Sequence, residues 1–135
     1  MNNKKIYRCY RRQNVLWLRV AIGKSGDTPL LVRLLVDTGA SYTVLPTRIL
    51  QRIDCNLEQP LEKKKIVTAN GVINVPLVAV PWFNCLGRAR KNYPVVALSL
   101  PASSFTDGLL GMDYLTEVGA VIDVANAEIR LKADR

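Results

Sequence analysis

Leu34-Leu35-Val36-Asp37-Thr38-Gly39-Ala40-Ser41 is the stretch on which the reading of this chain turns. A carboxylate follows a run of core-type residues, and a small hydroxyl residue and a glycine follow it. Ending a buried strand on an acid strips water from a charge, a costly arrangement unless something compensates. Gly39 lets another chain segment or a ligand approach the backbone closely. By itself the triplet is also an ordinary turn after a strand.

Outward from it, β-type patterns dominate. Residues 28–36 (TPLLVRLLV) read as a strand, and residues 14–22 (NVLWLRVAI) as its hairpin partner across a turn at 23–27. Polar residues are sparse in both, as expected where both faces are covered. Gly23-Lys24-Ser25 is no phosphate loop, because the position that needs the first glycine holds Leu18. Residues 66–69 and 72–75 flank Asn70-Gly71, whose residues both accept positive φ, so this pair is expected at the centre of a second hairpin. Further strands are expected over 77–83, 95–100, 120–124 and 128–131. A short helix is expected from Pro46 through residue 53, and another over 112–118, ended by Gly119.

The 135 residues are 49% apolar and 22% charged, which fits one globular domain. Residues 1–13 read as a basic N-terminal arm and 14–135 as the domain. The apolar stretch 75–83 is too short to span a bilayer, and the N-terminus has no apolar segment of the secretory kind. There is no histidine, which removes Ser-His-Asp and Cys-His catalysis and histidine zinc sites together. Cys9, Cys55 and Cys85 have no knuckle or redox spacing, and point to reduced thiols and a cytoplasmic setting. The net charge of +8 gathers at the N-terminus, at Lys63 to Lys65 and around Arg88, Arg90 and Lys91. It favours acidic partners or substrates through an attraction that salt would weaken.

Seventy residues after Asp37 comes Asp107-Gly108-Leu109-Leu110-Gly111-Met112-Asp113-Tyr114-Leu115. The ordered set of Asp37-Thr38-Gly39, the Asn70-Gly71 hairpin and Leu109-Leu110-Gly111 before a short helix resembles the retropepsin-like aspartic proteases, single-domain relatives of pepsin. The resemblance runs roughly from Val15 to Leu131. It implies an all-β fold, a closed acid-protease β-barrel with a flap hairpin and one or two short helices.

It also implies a mechanism. Two carboxylates a few ångströms apart share one proton, so one serves as base towards water and the other as acid. This chain has one Asp-Thr-Gly, so the second carboxylate would come from a second copy in a two-fold homodimer. The resemblance makes Asp37 the catalytic residue and Thr38 and Gly39 the support of the active-site loop. Gly39, Ser41, Val44, Leu109 and the flap residues Thr68, Ala69, Asn70 and Gly71 would meet a peptide or protein substrate. No metal or other cofactor is implied.

Two departures stand out. Retroviral members often pair an acidic residue at the position of Ser41 with an arginine at that of Met112; both charges are absent, which is closer to cellular or bacterial members. Pepsin-like enzymes usually have a hydroxyl where this chain has Ala40, and its loss predicts activity at mildly rather than strongly acidic pH. Two other readings are a catalytically silent dimerisation or peptide-binding module of the same fold and a basic nucleic-acid-binding protein. Against the last, Tyr7, Tyr10, Trp17, Trp82 and Tyr93 form no recognisable stacking motif in sequence.

Overall fold

The structure is a computed structural model that describes residues 4–24, 26–101 and 105–132. In chain order its elements are β1 (Lys4–Arg8), β2 (Tyr10–Arg12), β3 (Val15–Gly23), β4 (Leu30–Val36), β5 (Val44–Leu45), α1 (Thr47–Arg52), β6 (Glu62–Thr68), β7 (Gly71–Cys85), β8 (Arg88–Ala97), β9 (Gly108–Leu110), α2 (Met112–Glu117), β10 (Val121–Asp123) and β11 (Glu128–Lys132).

Alternation in β3 explains how the barrel is filled. Leu16, Leu18, Val20 and Ile22 turn inward and are buried, and Val32 and Leu34 of β4 join them. β3 pairs with both β4 and β7, and the ring runs β3-β4-β9-β5-β8-β7 and back to β3, a closed mixed barrel of six strands. Closure removes the free edges that a flat sheet of this composition would expose. The core includes Leu50 of α1, Phe83, Val95, Leu110, Tyr114 of α2 and Ile129. Pro46 stands at the start of α1, and Gly119, at φ +64°, ends the turn after α2.

Several expectations need adjusting. The two strands expected over 72–75 and 77–83 are one, β7, and it tolerates both prolines. Pro81 falls where the ladder steps from Val80↔Tyr93 to Trp82↔Lys91, opposite Asn92 at φ +51°, so no regular pairing is lost there. β8 begins and ends earlier than the expected strand at 95–100. In the β6–β7 hairpin Thr68 pairs with Gly71, so Ala69-Asn70 form the turn and the positive φ of +115° falls on Gly71. The turn therefore sits one residue before the expected centre, with glycine at its fourth position.

The first thirteen residues, expected as an arm, are paired where they are described. β1 runs antiparallel to β11, which also pairs with β10 in a separate three-stranded sheet, and β2 pairs with β3. Residues 1–3 of that segment, and Ser25 of the first expected turn, lie outside the described residues.

Candidate active site

Asp37 is the first residue beyond β4, and two hydrogen-bond patterns fix it. β4 and β9 are parallel, with Leu34↔Gly108, Leu35↔Leu109 and Val36↔Leu110, and the Asp37 amide extends the ladder to the Leu110 carbonyl at 3.0 Å. The chain then turns: the Ala40 amide donates to the Asp37 carbonyl at 3.2 Å, and the Gly39 amide donates to Asp37 Oδ1 at 2.9 Å. The carboxylate is half-buried with one oxygen held, and Thr38 and Gly39 are exposed beside it. A Cβ on Gly39 would stand 3.2 Å from Asp37 Oδ1, so the turn stays tight because residue 39 has none.

The start of α2 braces this loop from below. The Met112 amide donates to the Ala40 carbonyl at 2.8 Å and the Asp113 amide to the Ser41 carbonyl at 3.2 Å. Gly111 is buried against the Tyr42–Thr43 peptide, where a Cβ would lie 2.5 Å from the Tyr42 carbonyl. Thr43, fully buried, accepts the Gly111 amide at 3.2 Å on Oγ1 and donates from Oγ1 to Asp113 Oδ1 at 2.8 Å. Its own amide donates to both Asp113 oxygens at 3.0 Å.

Asp113 was not singled out from sequence. An acid in the first turn of a helix reads as local end-stabilisation, and the long-range bonds to Thr43 need the fold to be seen. Thr43→Val keeps the shape and removes the hydroxyl, leaving the buried Gly111 amide without its acceptor. The expected cost is about 2 kcal/mol, read as a lower urea midpoint at fixed protomer concentration; an unchanged midpoint would show the bonds to be idle.

Among the other expected site residues, Ser41 is exposed and Leu109 is half-buried. Val44, opposite Leu109 across β5–β9, is only 4% exposed and mainly supports the strand beneath. Val44 packs with Val75 and Val96 in a small apolar cluster that Ile66, Leu77 and Leu109 border. That cluster joins the base of the β6–β7 hairpin to the strands around Asp37. Backbone pairing places Thr68, Ala69, Asn70 and Gly71 at the hairpin tip, where Val67 and Val72 are 81% and 63% exposed.

Two cavities adjoin the loop. One of about 280 Å³ is lined by Asp37, Thr38, Val15, Leu35, Ile122 and Arg11, whose guanidinium also donates to the Val124 carbonyl. The other, about 450 Å³, is lined by Thr38, Met112, Leu115 and Ile122 among others. Thr38 and Ile122 border both, so the exposed loop stands between two concave surfaces.

The cysteines sit apart from this loop and are all free thiols. Burial pushes the Cys9 thiol up to about 11, against the opposing pull of Arg11, and burial also raises Cys55 and Cys85. Shifts in that direction keep them protonated and weakly nucleophilic.

Comparison with known proteins agrees with this geometry. A family model described as aspartyl protease matches residues 20–114. A retropepsin-like aspartic protease from Rickettsia conorii superposes with a TM-score of 0.67 at 19% identity, covering 98% of this chain and 95% of that one. The EIAV protease in complex with the inhibitor HBY-793 gives 0.55 at 26% identity, covering 84% and 97%. The retroviral protease-like domain of Ddi1 from Leishmania major gives 0.55 at 15% identity, covering 91% and 97%. No curated protein matches the sequence.

Proposed function

From the premise that this chain belongs to the aspartyl protease family, we propose that it is a homodimeric endopeptidase whose catalytic pair is Asp37 from each of two copies. The observation that carries this reading is the Asp37 loop: a half-buried carboxylate, held by one Gly39 N–H, with Thr38 and Gly39 open beside it. It is half of a site. One carboxylate can take a proton from water or give one to the leaving amine, but concerted hydrolysis asks for both at once. A two-fold axis beside Thr38 supplies the second from an identical loop.

In the dimer the Asp37 pair holds a single proton, since two negative charges at that separation repel too strongly to coexist. The unprotonated member accepts a proton from water as it attacks the scissile carbonyl, and the protonated member gives its proton to the departing nitrogen. Thr38 holds the two loops in register, and Gly39 gives room and a carbonyl acceptor to the substrate backbone. The hairpin tip of Thr68 to Gly71 acts as the flap, and its uncovered Val67 and Val72 close over apolar substrate side chains and exclude water.

The test is incubation of the purified protein with a peptide library across pH, with and without a statine inhibitor that mimics the tetrahedral intermediate. Cuts between bulky apolar residues that the inhibitor abolishes are expected. Because Ala40 offers the carboxylates no hydroxyl, kcat/KM is expected to peak at mildly rather than strongly acidic pH. No cleavage at any pH, or cleavage indifferent to the inhibitor, would overturn the proposal.

A further inference from the structure

On the outward face of β2, β3 and β4 the fold assembles an aromatic and arginine cluster from residues far apart in the chain. Tyr10 stacks on Trp17 with centroids 4.3 Å apart and planes at 15°, and Phe105 meets Trp17 edge-on at 5.4 Å. Three arginines lie over these rings: Arg12 at 4.0 Å from the Phe105 centroid, Arg19 at 5.2 Å from Tyr10, and Arg33 at 4.8 Å from Phe105 and 5.4 Å from Trp17. Tyr10 and Trp17 thus stack on each other rather than presenting an open platform. Pairing of β2 with β3, and of β3 with β4, creates the stack by setting Tyr10 opposite Trp17 and Arg19 opposite Arg33.

All three arginines are exposed, and none is ion-paired through its guanidinium among the described residues. The nearby carboxylate, Asp107, accepts the Arg33 backbone amide at 2.8 Å and lies 3.9 Å from Arg48 instead. A guanidinium lying on a ring is pre-oriented and keeps N–H edges for carboxylates. The rings' own faces are taken, so the arginines form the outer layer.

The same face leads to the candidate active site. Val15 and Leu35 line the cavity that holds Asp37, and Leu35 is paired with Trp17. From Asp37 back to Arg33 is four residues of strand, about 13 Å at 3.3 Å each, the reach of about four residues of extended substrate.

We infer that the Arg12–Arg19–Arg33 face is an exosite that holds an acidic stretch of the protein substrate while a neighbouring segment enters the cleft. This rests on the protease reading above and adds the substrate class: polypeptides with clustered Asp or Glu at least about four residues from the cut. Continuity with the Asp37 cavity favours a peptide over nucleic acid as the occupant. In a two-fold dimer the exosite occurs twice, so an acidic tail at either end of a peptide would be served.

The best-cut library peptide, synthesised with a hexaglutamate or a hexaglutamine tail at either end, tests this. The acidic tail is expected to raise kcat/KM about tenfold at low salt and much less at high salt. The ratio should approach one in Arg12→Gln/Arg19→Gln and persist in Arg52→Gln/Lys91→Gln, which removes the same charge elsewhere. Arg12→Glu/Arg19→Glu should turn the preference towards a hexalysine tail. Binding is read separately, by fluorescence anisotropy of labelled hexaglutamate on the Asp37→Asn protein.

Equal kcat/KM for the two tails, or an equal loss in both double variants, would overturn the exosite. So would labelled oligo-dT of matched length binding tighter than hexaglutamate, since the face would then suit nucleic acid. Hexaglutamate binding that depends on Arg12 and Arg19, with no cleavage of any peptide, would overturn the protease reading while retaining the anion-binding face.

Discussion

Replacing Asp37 by Asn is expected to lower kcat/KM by at least about 10³-fold, within the range that general acid–base groups contribute, while the fold and the dimer persist. The amide is nearly isosteric and its oxygen still accepts the Gly39 N–H now held at 2.9 Å. It cannot take a proton from water, and the symmetric pair then has neither base nor shared proton. The dimer gives a sharper signature. If both carboxylates are required, mixing and re-equilibrating equal amounts of wild type and Asp37→Asn leaves about a quarter of the dimers with two native carboxylates. Activity per total protein should fall to that quarter, not to a half. Dilution below the dimer dissociation constant should likewise lower specific activity, because monomers are inert. Proportional loss on mixing, or cleavage retained in Asp37→Asn, would remove the shared dyad.

Gly111→Ala is expected to be among the more damaging conservative changes near the site. A Cβ there would come within 2.5 Å of both the carbonyl carbon and oxygen of Tyr42, and 2.9 Å from the Thr43 nitrogen. All are backbone atoms, so no side chain can swing aside. Overpacking commonly costs 1–3 kcal/mol, and a clash against backbone in a buried place belongs near about 3 kcal/mol. The loss should also reach function, since displacing Tyr42 and Thr43 moves the Ala40 and Ser41 carbonyls that α2 holds. Gly119→Ala is the contrast: nothing lies within 4 Å, and only its φ of +64° is unfavourable, a penalty of about 1 kcal/mol. Urea unfolding at fixed protomer concentration, with kcat/KM on the surviving protein, separates the two. A Gly111→Ala protein as stable as Gly119→Ala would refute the packing account.

Much of the barrel was legible because its signals are local. β3 and β4 carry long apolar runs, Pro46 and Gly119 punctuate the helices, and Asp37-Thr38-Gly39 stands at a strand end. Signals carried by few residues were not legible. β5 and β9 are two and three residues long, and their strand character comes from partners far away in sequence. The hairpin centre shifted by one residue because Asn-Gly serves two turn types, and only pairing of Thr68 with Gly71 selects between them. The basic start of the chain resembled an arm because composition does not reveal that β11 offers it a free edge.

Residue content already narrows the chemistry of these 135 residues: no histidine, one Asp-Thr-Gly, and a second glycine segment seventy residues on. Those facts concern residue types and their order along the chain, which no folding can alter. Which groups meet follows from the fold. It set the Asp113 carboxylate against Thr43, the Leu110 carbonyl against the Asp37 amide, and arginines from three strands over rings drawn from three segments. Such contacts arise from register and barrel closure, properties of the whole ring of strands that no local window contains.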